Sequence, residues 1–208
     1  MANLMTSENP ILRLRGFEIH KMKCSSEVQQ AILLDLRGIV QKAPMFTPEM
    51  AGGQKMSVRM TSAGDVGWYS DVAGYRYMAA HPSGKAWPNI PNRLLDLWAA
   101  VSGCDRAPDS CLINFYGEGA RMGMHQDLDE ADKSFPVVSL SLGDEGLFRM
   151  GGVTKGGKTD AIWLTSGDVV VMGGDARLAW HGVDKTRFGS LRLLPKAGRI
   201  NVTLRVAQ

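Results

Sequence analysis

Apolar residues recur along this chain with two periods, and the change from one to the other divides it. Val28, Ile32, Leu36 and Ile39 fall at helical spacing behind Ser26-Glu-Val-Gln29, a capping-box pattern that predicts a core-packing helix. A second helix is predicted where Pro91 precedes Leu94, Trp98 and Val101 on one face and Gly103 closes the segment. Beyond it the pattern shortens to alternating or continuous apolar runs at 111–116, 137–142, 168–172 and 200–206. Glycine pairs at Gly151-Gly152, Gly156-Gly157 and Gly173-Gly174 punctuate this half. These features predict an α+β chain: N-terminal helices followed by a double-stranded β-helix, or jelly roll, over about 111–206.

The chain has 208 residues with 44% hydrophobic content, enough for one compact domain with a real core, and shows neither internal repeat nor long linker. A single domain spanning 1–208 is expected. Between the two helices, about 45–92, the sequence turns rich in Gly, Met and aromatic residues, including Trp68, Tyr69, Tyr75 and Tyr77. That segment is the natural recognition lid. A net charge of +3 permits a polyanionic partner without demanding one. From Lys185 onward six basic residues (Lys185, Arg187, Arg192, Lys196, Arg199, Arg205) meet no acidic one, so the outer members serve either as a phosphate groove or as a solvated loop.

Cys24, Cys104 and Cys111 form no CxxC pattern, which points to reduced thiols in a cytoplasmic protein. Residues 1–10 carry no charged stretch leading into an apolar run, and no later run is long enough to span a bilayer. No membrane segment and a monomeric state are expected.

Chemistry concentrates in His125-Gln126-Asp127, His181 and the strand Arg199-Ile-Asn-Val-Thr-Leu-Arg205. Alternate residues of an extended strand face the same side, so His125 and Asp127 can address one metal, with His181 arriving from a distant strand. Two imidazoles and one carboxylate leave coordination positions open, the ligand set of non-heme Fe(II) oxygenases. A lone His-x-Asp tripeptide is weak evidence, and His20 and His81 have no matching pattern; His181 and the arginine strand carry the inference. Arg199, Asn201, Thr203 and Arg205 share one strand face. Two inward arginines are costly to bury without an anion, and a dicarboxylate such as 2-oxoglutarate satisfies both.

The ordered set Met56-Ser-Val-Arg-Met-Thr61, Gly67-Trp68, Gly74-Tyr75-Arg-Tyr77, Asn114-Phe-Tyr116, His125-Gln-Asp-Leu-Asp-Glu130, Val138-Ser-Leu-Ser-Leu-Gly143, Gly167-Asp-Val-Val-Val171 and the arginine strand resembles the AlkB family, bacterial branch. These are Fe(II)- and 2-oxoglutarate-dependent nucleic-acid dealkylases. The resemblance implies that His125, Asp127 and His181 hold Fe(II) as the catalytic centre. It places 2-oxoglutarate against Leu112, Asn114, Tyr116, Arg199, Asn201 and Arg205, with O2 as the second co-substrate. Arg199 would pair with the distal carboxylate and Arg205 would lie near the chelating one.

For the substrate, the resemblance implies a flipped base between Trp68 and His125, with Met60 and Tyr75 nearby and Tyr77 toward the backbone. Asp129 would accept from the exocyclic amino group of a cationic 1-methyladenine or 3-methylcytosine, Glu130 would support it, and Lys155 would contact the nucleotide. Hydroxylation of the N-methyl carbon would release formaldehyde from alkylated single- or double-stranded DNA, with RNA as a further partner. Two rivals remain: a related oxygenase acting on a protein or small molecule, and a nucleic-acid-binding protein that does not catalyse. Loss of dealkylation in Trp68→Ala and Asp129→Ala separates the first rival, and absence of 2-oxoglutarate turnover identifies the second.

Overall fold

The computed structural model of the chain describes residues 10–50 and 52–208. Two short strands come first, β1 (Ile11–Leu14) and β2 (Phe17–His20), then the helix α1 (Ser26–Lys42). Strands β3 (Arg59–Gly64), β4 (Gly67–Asp71) and β5 (Gly74–Met78) lead to α2 (Asn92–Val101). Eight strands follow: β6 (Ser110–Tyr116), β7 (Met122–His125), β8 (Val137–Gly143), β9 (Glu145–Met150), β10 (Asp160–Leu164), β11 (Val169–Met172), β12 (His181–Arg187) and β13 (Arg199–Arg205).

All strand pairs are antiparallel. A major sheet runs β1-β2-β11-β8-β13-β6-β3, a minor one β10-β9-β12-β7, and β4 with β5 forms a separate hairpin. Alternation sorts the core into two layers. Cys111, Ile113, Val138, Leu140, Leu142, Val202 and Leu204 point out of the major sheet and meet Val28, Ile32, Leu36 and Ile39 of α1 and Leu94, Leu97 and Trp98 of α2. Their sequence neighbours point the other way, into the space between the sheets, where Leu112, Tyr116, Val170 and Met172 meet Phe148, Met150 and Val183 of the minor sheet. The expected jelly roll is therefore present, with both helices on its outer face.

Two local expectations shift. The N-cap of α1 is Ser25 rather than Ser26; its Oγ accepts from the Val28 amide at 3.4 Å, which leaves Gln29 one position past a capping box. Gln29 is instead buried, donating from Nε2 to the Cys24 carbonyl (2.8 Å) and accepting from Ser166 Oγ (2.6 Å), so it ties the helix start to the turn before β11. The helices also follow a β-hairpin instead of opening the described chain. That hairpin extends the major sheet because β2 pairs with β11. The end of α2 is as expected, with Gly103 at φ 63°, a left-handed geometry suited to a residue without Cβ. Among the described residues no helix is long and apolar enough to cross a membrane.

Candidate metal centre and cofactor cavity

Strands β7 and β12 pair so that His125 stands directly opposite His181. Their rings lie 4.5 Å apart between centroids. Each imidazole donates from Nδ1 to a carbonyl two residues upstream: His125 to Gly123 O at 2.9 Å, His181 to Ala179 O at 3.0 Å. Both Nε2 atoms are thereby left as lone-pair donors aimed at one point, the tautomer a metal requires. Asp127 completes the set, with Oδ1 3.8 Å from His125 Nε2 and Oδ2 3.9 Å from His181 Nε2. The ligand atoms of the three residues lie within 4.8 Å of one another.

His125 and Asp127 do not share one strand. β7 ends at His125, so Asp127 lies in the loop beyond it and alternation alone does not aim its carboxylate. Two arginines do. Arg205 Nη2 donates to Asp127 Oδ2 at 2.9 Å, and Arg177 Nη1 donates to the Asp127 carbonyl at 2.8 Å. Burial opposes the charged carboxylate, but Arg205 and then His181 and His125 outweigh it and hold Asp127 well below the usual carboxylate range. Burial likewise lowers His181 to about 4, so it stays a neutral, ligand-competent imidazole.

Behind this triad lies a polar chamber cut into the apolar interior. Arg199 is 1% exposed and its guanidinium lies 5.2 Å from the Tyr116 ring centre. Nη2 donates to Ser141 Oγ at 2.9 Å, while Nε and Nη1 find no hydrogen-bond partner among the described residues. Burial pushes its pKa down. A buried cation with unused donors calls for an anion. Gly146 on β9 makes the room, since a Cβ there would sit 2.7 Å from Arg199 Nε. Asn114 presents a buried, unpartnered Oδ1 from the neighbouring strand, and Asn201 is held by Ser139 Oγ (2.7 Å) and Thr203 Oγ1 (3.0 Å). Leu112 and Tyr116 supply the apolar wall. These residues fit a dicarboxylate whose far end meets Arg199 and whose near end approaches the metal.

The β4–β5 hairpin brings the aromatic residues to the same place. Trp68 pairs across it with Tyr77 and Ser70 with Tyr75, so Trp68, Tyr75 and Tyr77 share a face. Trp68 and Tyr75 stack at 5.4 Å and 23°, and Trp68 Nε1 donates to Asp129 Oδ2 at 2.7 Å. Tyr75 is half exposed. Two residues named with this group are buried. Met60 is buried in the inter-sheet core on β3, opposite Asn114 in register. Glu130 is 2% exposed and accepts from the Tyr77 hydroxyl at 2.8 Å and from Arg177 Nη2 at 2.9 Å, which ties it to the hairpin and to Arg177.

Lys155 sits on the 151–159 loop with Nζ 5.5 Å from the Trp180 ring centre, over a recess also lined by Met124 and Thr159. Of the basic run, Arg199 and Arg205 are interior, whereas Arg187 lies over Trp163 and pairs with Glu145. His81 is a structural pin, bonded to Ser83 Oγ (2.8 Å) and Pro44 O (2.9 Å). Sequence reasoning missed Arg177 and Gly146. An isolated arginine in Gly-Gly-Asp-Ala-Arg177 carries no periodic signal, and a glycine inside a strand is legible only as a close approach of something unnamed.

Two imidazoles and a carboxylate at one end of a jelly roll, backed by a buried arginine with spare donors, define an Fe(II)-dependent oxygenase that uses a 2-oxo dicarboxylate. Comparison with known proteins agrees. Residues 18–205 match the family model described as the 2OG-Fe(II) oxygenase superfamily. The alpha-ketoglutarate-dependent dioxygenase AlkB homolog of Caulobacter vibrioides is 46% identical over 200 residues, covering 96% of this chain and 91% of that protein. The DNA N(6)-methyladenine demethylase ALKBH1D of Arabidopsis thaliana is 38% identical over 109 residues, 48% of this chain and 25% of that one. The solved structure of OsALKBH1 superposes with a TM-score of 0.79 at 30% identity, covering 94% of this chain and 99% of the other. The chain belongs to the AlkB family of the 2OG-Fe(II) oxygenase superfamily. Its cofactors are Fe(II), 2-oxoglutarate and O2.

Proposed function

We propose that this protein repairs alkylated nucleobases, removing the methyl group of 1-methyladenine and 3-methylcytosine in single- or double-stranded DNA, with RNA as a second substrate, as a cytoplasmic monomer. The observation that carries the reading is the Trp68–Tyr75 stack, hydrogen-bonded through Trp68 Nε1 to Asp129, two residues from the metal carboxylate. A flipped base needs an aromatic surface for its face and an acceptor for its amino edge. The β4–β5 hairpin supplies the first and the loop that follows His125 the second.

Within that reading, residues 45–92 act as the lid over the 111–206 core. Trp68 covers one face of the base and His125, whose side chain is 41% exposed, the other. Asp129 Oδ1 remains for the exocyclic amino group while Oδ2 holds the indole. A cationic lesion is favoured over a neutral base by that carboxylate. Lys155 takes a backbone phosphate. When bound, the iron, 2-oxoglutarate and O2 supply the oxidation that hydroxylates the N-methyl carbon, after which formaldehyde leaves. Arg199 and Asn114 fix the co-substrate, and Arg205 keeps Asp127 aimed at the metal.

The test is mass spectrometry of an oligonucleotide bearing one 1-methyladenine, incubated with protein, Fe(II), 2-oxoglutarate, ascorbate and O2. A 14-dalton loss that requires His181 is expected. Succinate formation without that loss would keep the oxygenase and reject the nucleobase substrate.

A further inference from the structure

Asp127, Glu130, Arg177, Arg205 and Tyr77 form one closed network that joins the metal carboxylate to the hairpin. Arg177 donates from Nη1 to the Asp127 carbonyl (2.8 Å), from Nη2 to Glu130 Oε2 (2.9 Å) and from Nε to Phe135 O (2.7 Å). Arg205 donates from Nη2 to Asp127 Oδ2 (2.9 Å) and turns Nε toward Glu130 Oε1 at 3.3 Å. That same Oε1 accepts the Tyr77 hydroxyl at 2.8 Å. Arg177, Glu130, Arg205 and Asp127 are all buried and Tyr77 is half-buried, so removing a partner from the charged members is costly.

From this we infer that Arg177 and Glu130 are positioning residues that couple metal binding to seating of the β4–β5 hairpin, with Tyr77 as the link. The inference rests on the metal-centre reading and goes beyond it. Asp127 lies past the end of β7, so its carboxylate direction depends on side chains that grip it, one through the backbone oxygen and one through the carboxylate. Glu130 sets both grips because it binds both guanidinium groups. Tyr77 reaches Glu130 only when the hairpin is docked. Coupling of this kind is reciprocal: whatever seats the hairpin tightens metal binding, and metal binding seats the hairpin by the same factor.

The measurement is Co(II) affinity of the full-length, chelator-stripped protein, without 2-oxoglutarate or nucleic acid, for Tyr77→Phe, Arg177→Lys, the double variant and His181→Ala. Outer-shell partners of metal ligands typically change affinity about 10- to 100-fold. We expect Arg177→Lys to weaken Co(II) about tenfold and Tyr77→Phe about threefold, although Tyr77 is not a ligand. The double variant should be no weaker than Arg177→Lys alone, because either change opens the same network. Hydrogen exchange on residues 67–78 should slow on adding Co(II) in the wild type and not in Tyr77→Phe. Unchanged Co(II) affinity in Tyr77→Phe, or losses that multiply in the double variant, would overturn the coupling. Retention of Co(II) affinity in His181→Ala would instead overturn the metal centre itself.

Discussion

Arg199 occupies space that only a glycine at 146 leaves free: a Cβ on Gly146 would come within 2.7 Å of its Nε and 2.9 Å of its Cδ. The guanidinium is flanked by the Tyr116 ring and Ser141. Gly146→Ala should displace Arg199 and weaken 2-oxoglutarate at least tenfold, with Co(II) binding unchanged because no member of the triad lies on β9. Calorimetric titration of 2-oxoglutarate into the Mn(II)-loaded protein checks this, and an unaltered dissociation constant would mean that Arg199 is not the anion anchor.

The lowered pKa of His181 makes the metal-free protein acid-sensitive. The unfolded chain takes up this proton near 6.5 and the folded one only near 4, so the full stabilisation is present above about pH 6.5 and fades as pH falls toward 4. Between pH 7.5 and 4.5 the loss from this residue alone is about 2–3 kcal/mol. Urea unfolding of wild type and His181→Gln at the two pH values isolates it. His20, also lowered by burial, contributes equally to both proteins and cancels. Equal pH slopes for the two proteins would contradict the assignment.

Trp68→Phe keeps an aromatic face but loses the bond to Asp129 Oδ2. Dealkylation of a 1-methyladenine oligonucleotide should fall several-fold in Trp68→Phe and more than tenfold in Trp68→Ala, through KM more than through 2-oxoglutarate consumption. Quantifying succinate beside repaired product distinguishes the two effects. Parallel loss of both would place Trp68 in the metal chamber rather than on the substrate.

Thiol chemistry should single out Cys104. Cys24 and Cys111 are buried, and burial pushes their thiols up to about 11 and about 12. Cys104 is partly accessible. Ellman's reagent should titrate one thiol in the native protein and three after denaturation; rapid reaction of more than one would show that the helix-covered face of the major sheet opens.

The parts of the site legible in the sequence are those in which backbone periodicity does the positioning. Arg199, Asn201, Thr203 and Arg205 alternate inward because a strand forces them to, and Ile200, Val202 and Leu204 face the helices for the same reason. His181 was legible as a residue type, but its register opposite His125 was not, because β7 is four residues of Met-Gly-Met-His with no alternating signal. Glu130 is legible in the sequence only as a supporting acid beside Asp129. Its burial follows from Arg177, 47 residues away in sequence, and no local pattern announces a pair closed at that range. The capping box shifted by one residue because Ser25 and Ser26 are equally good caps and Gln29 is better satisfied at Cys24 and Ser166.

The hydrogen bonds that orient the two histidines bear on how this site tolerates change. Both imidazoles are held by main-chain oxygens of their own segments, at Gly123 and Ala179. A carbonyl oxygen belongs to every amino acid, so replacing either residue leaves that acceptor in place as long as the backbone path survives. The third ligand has no such insurance, since Asp127 depends on the side chains of Arg177 and Arg205. Mutational drift would therefore erode the carboxylate arm of the triad before the histidine arm, and spontaneous loss-of-function variants should accumulate around Asp127 rather than beside His125 or His181.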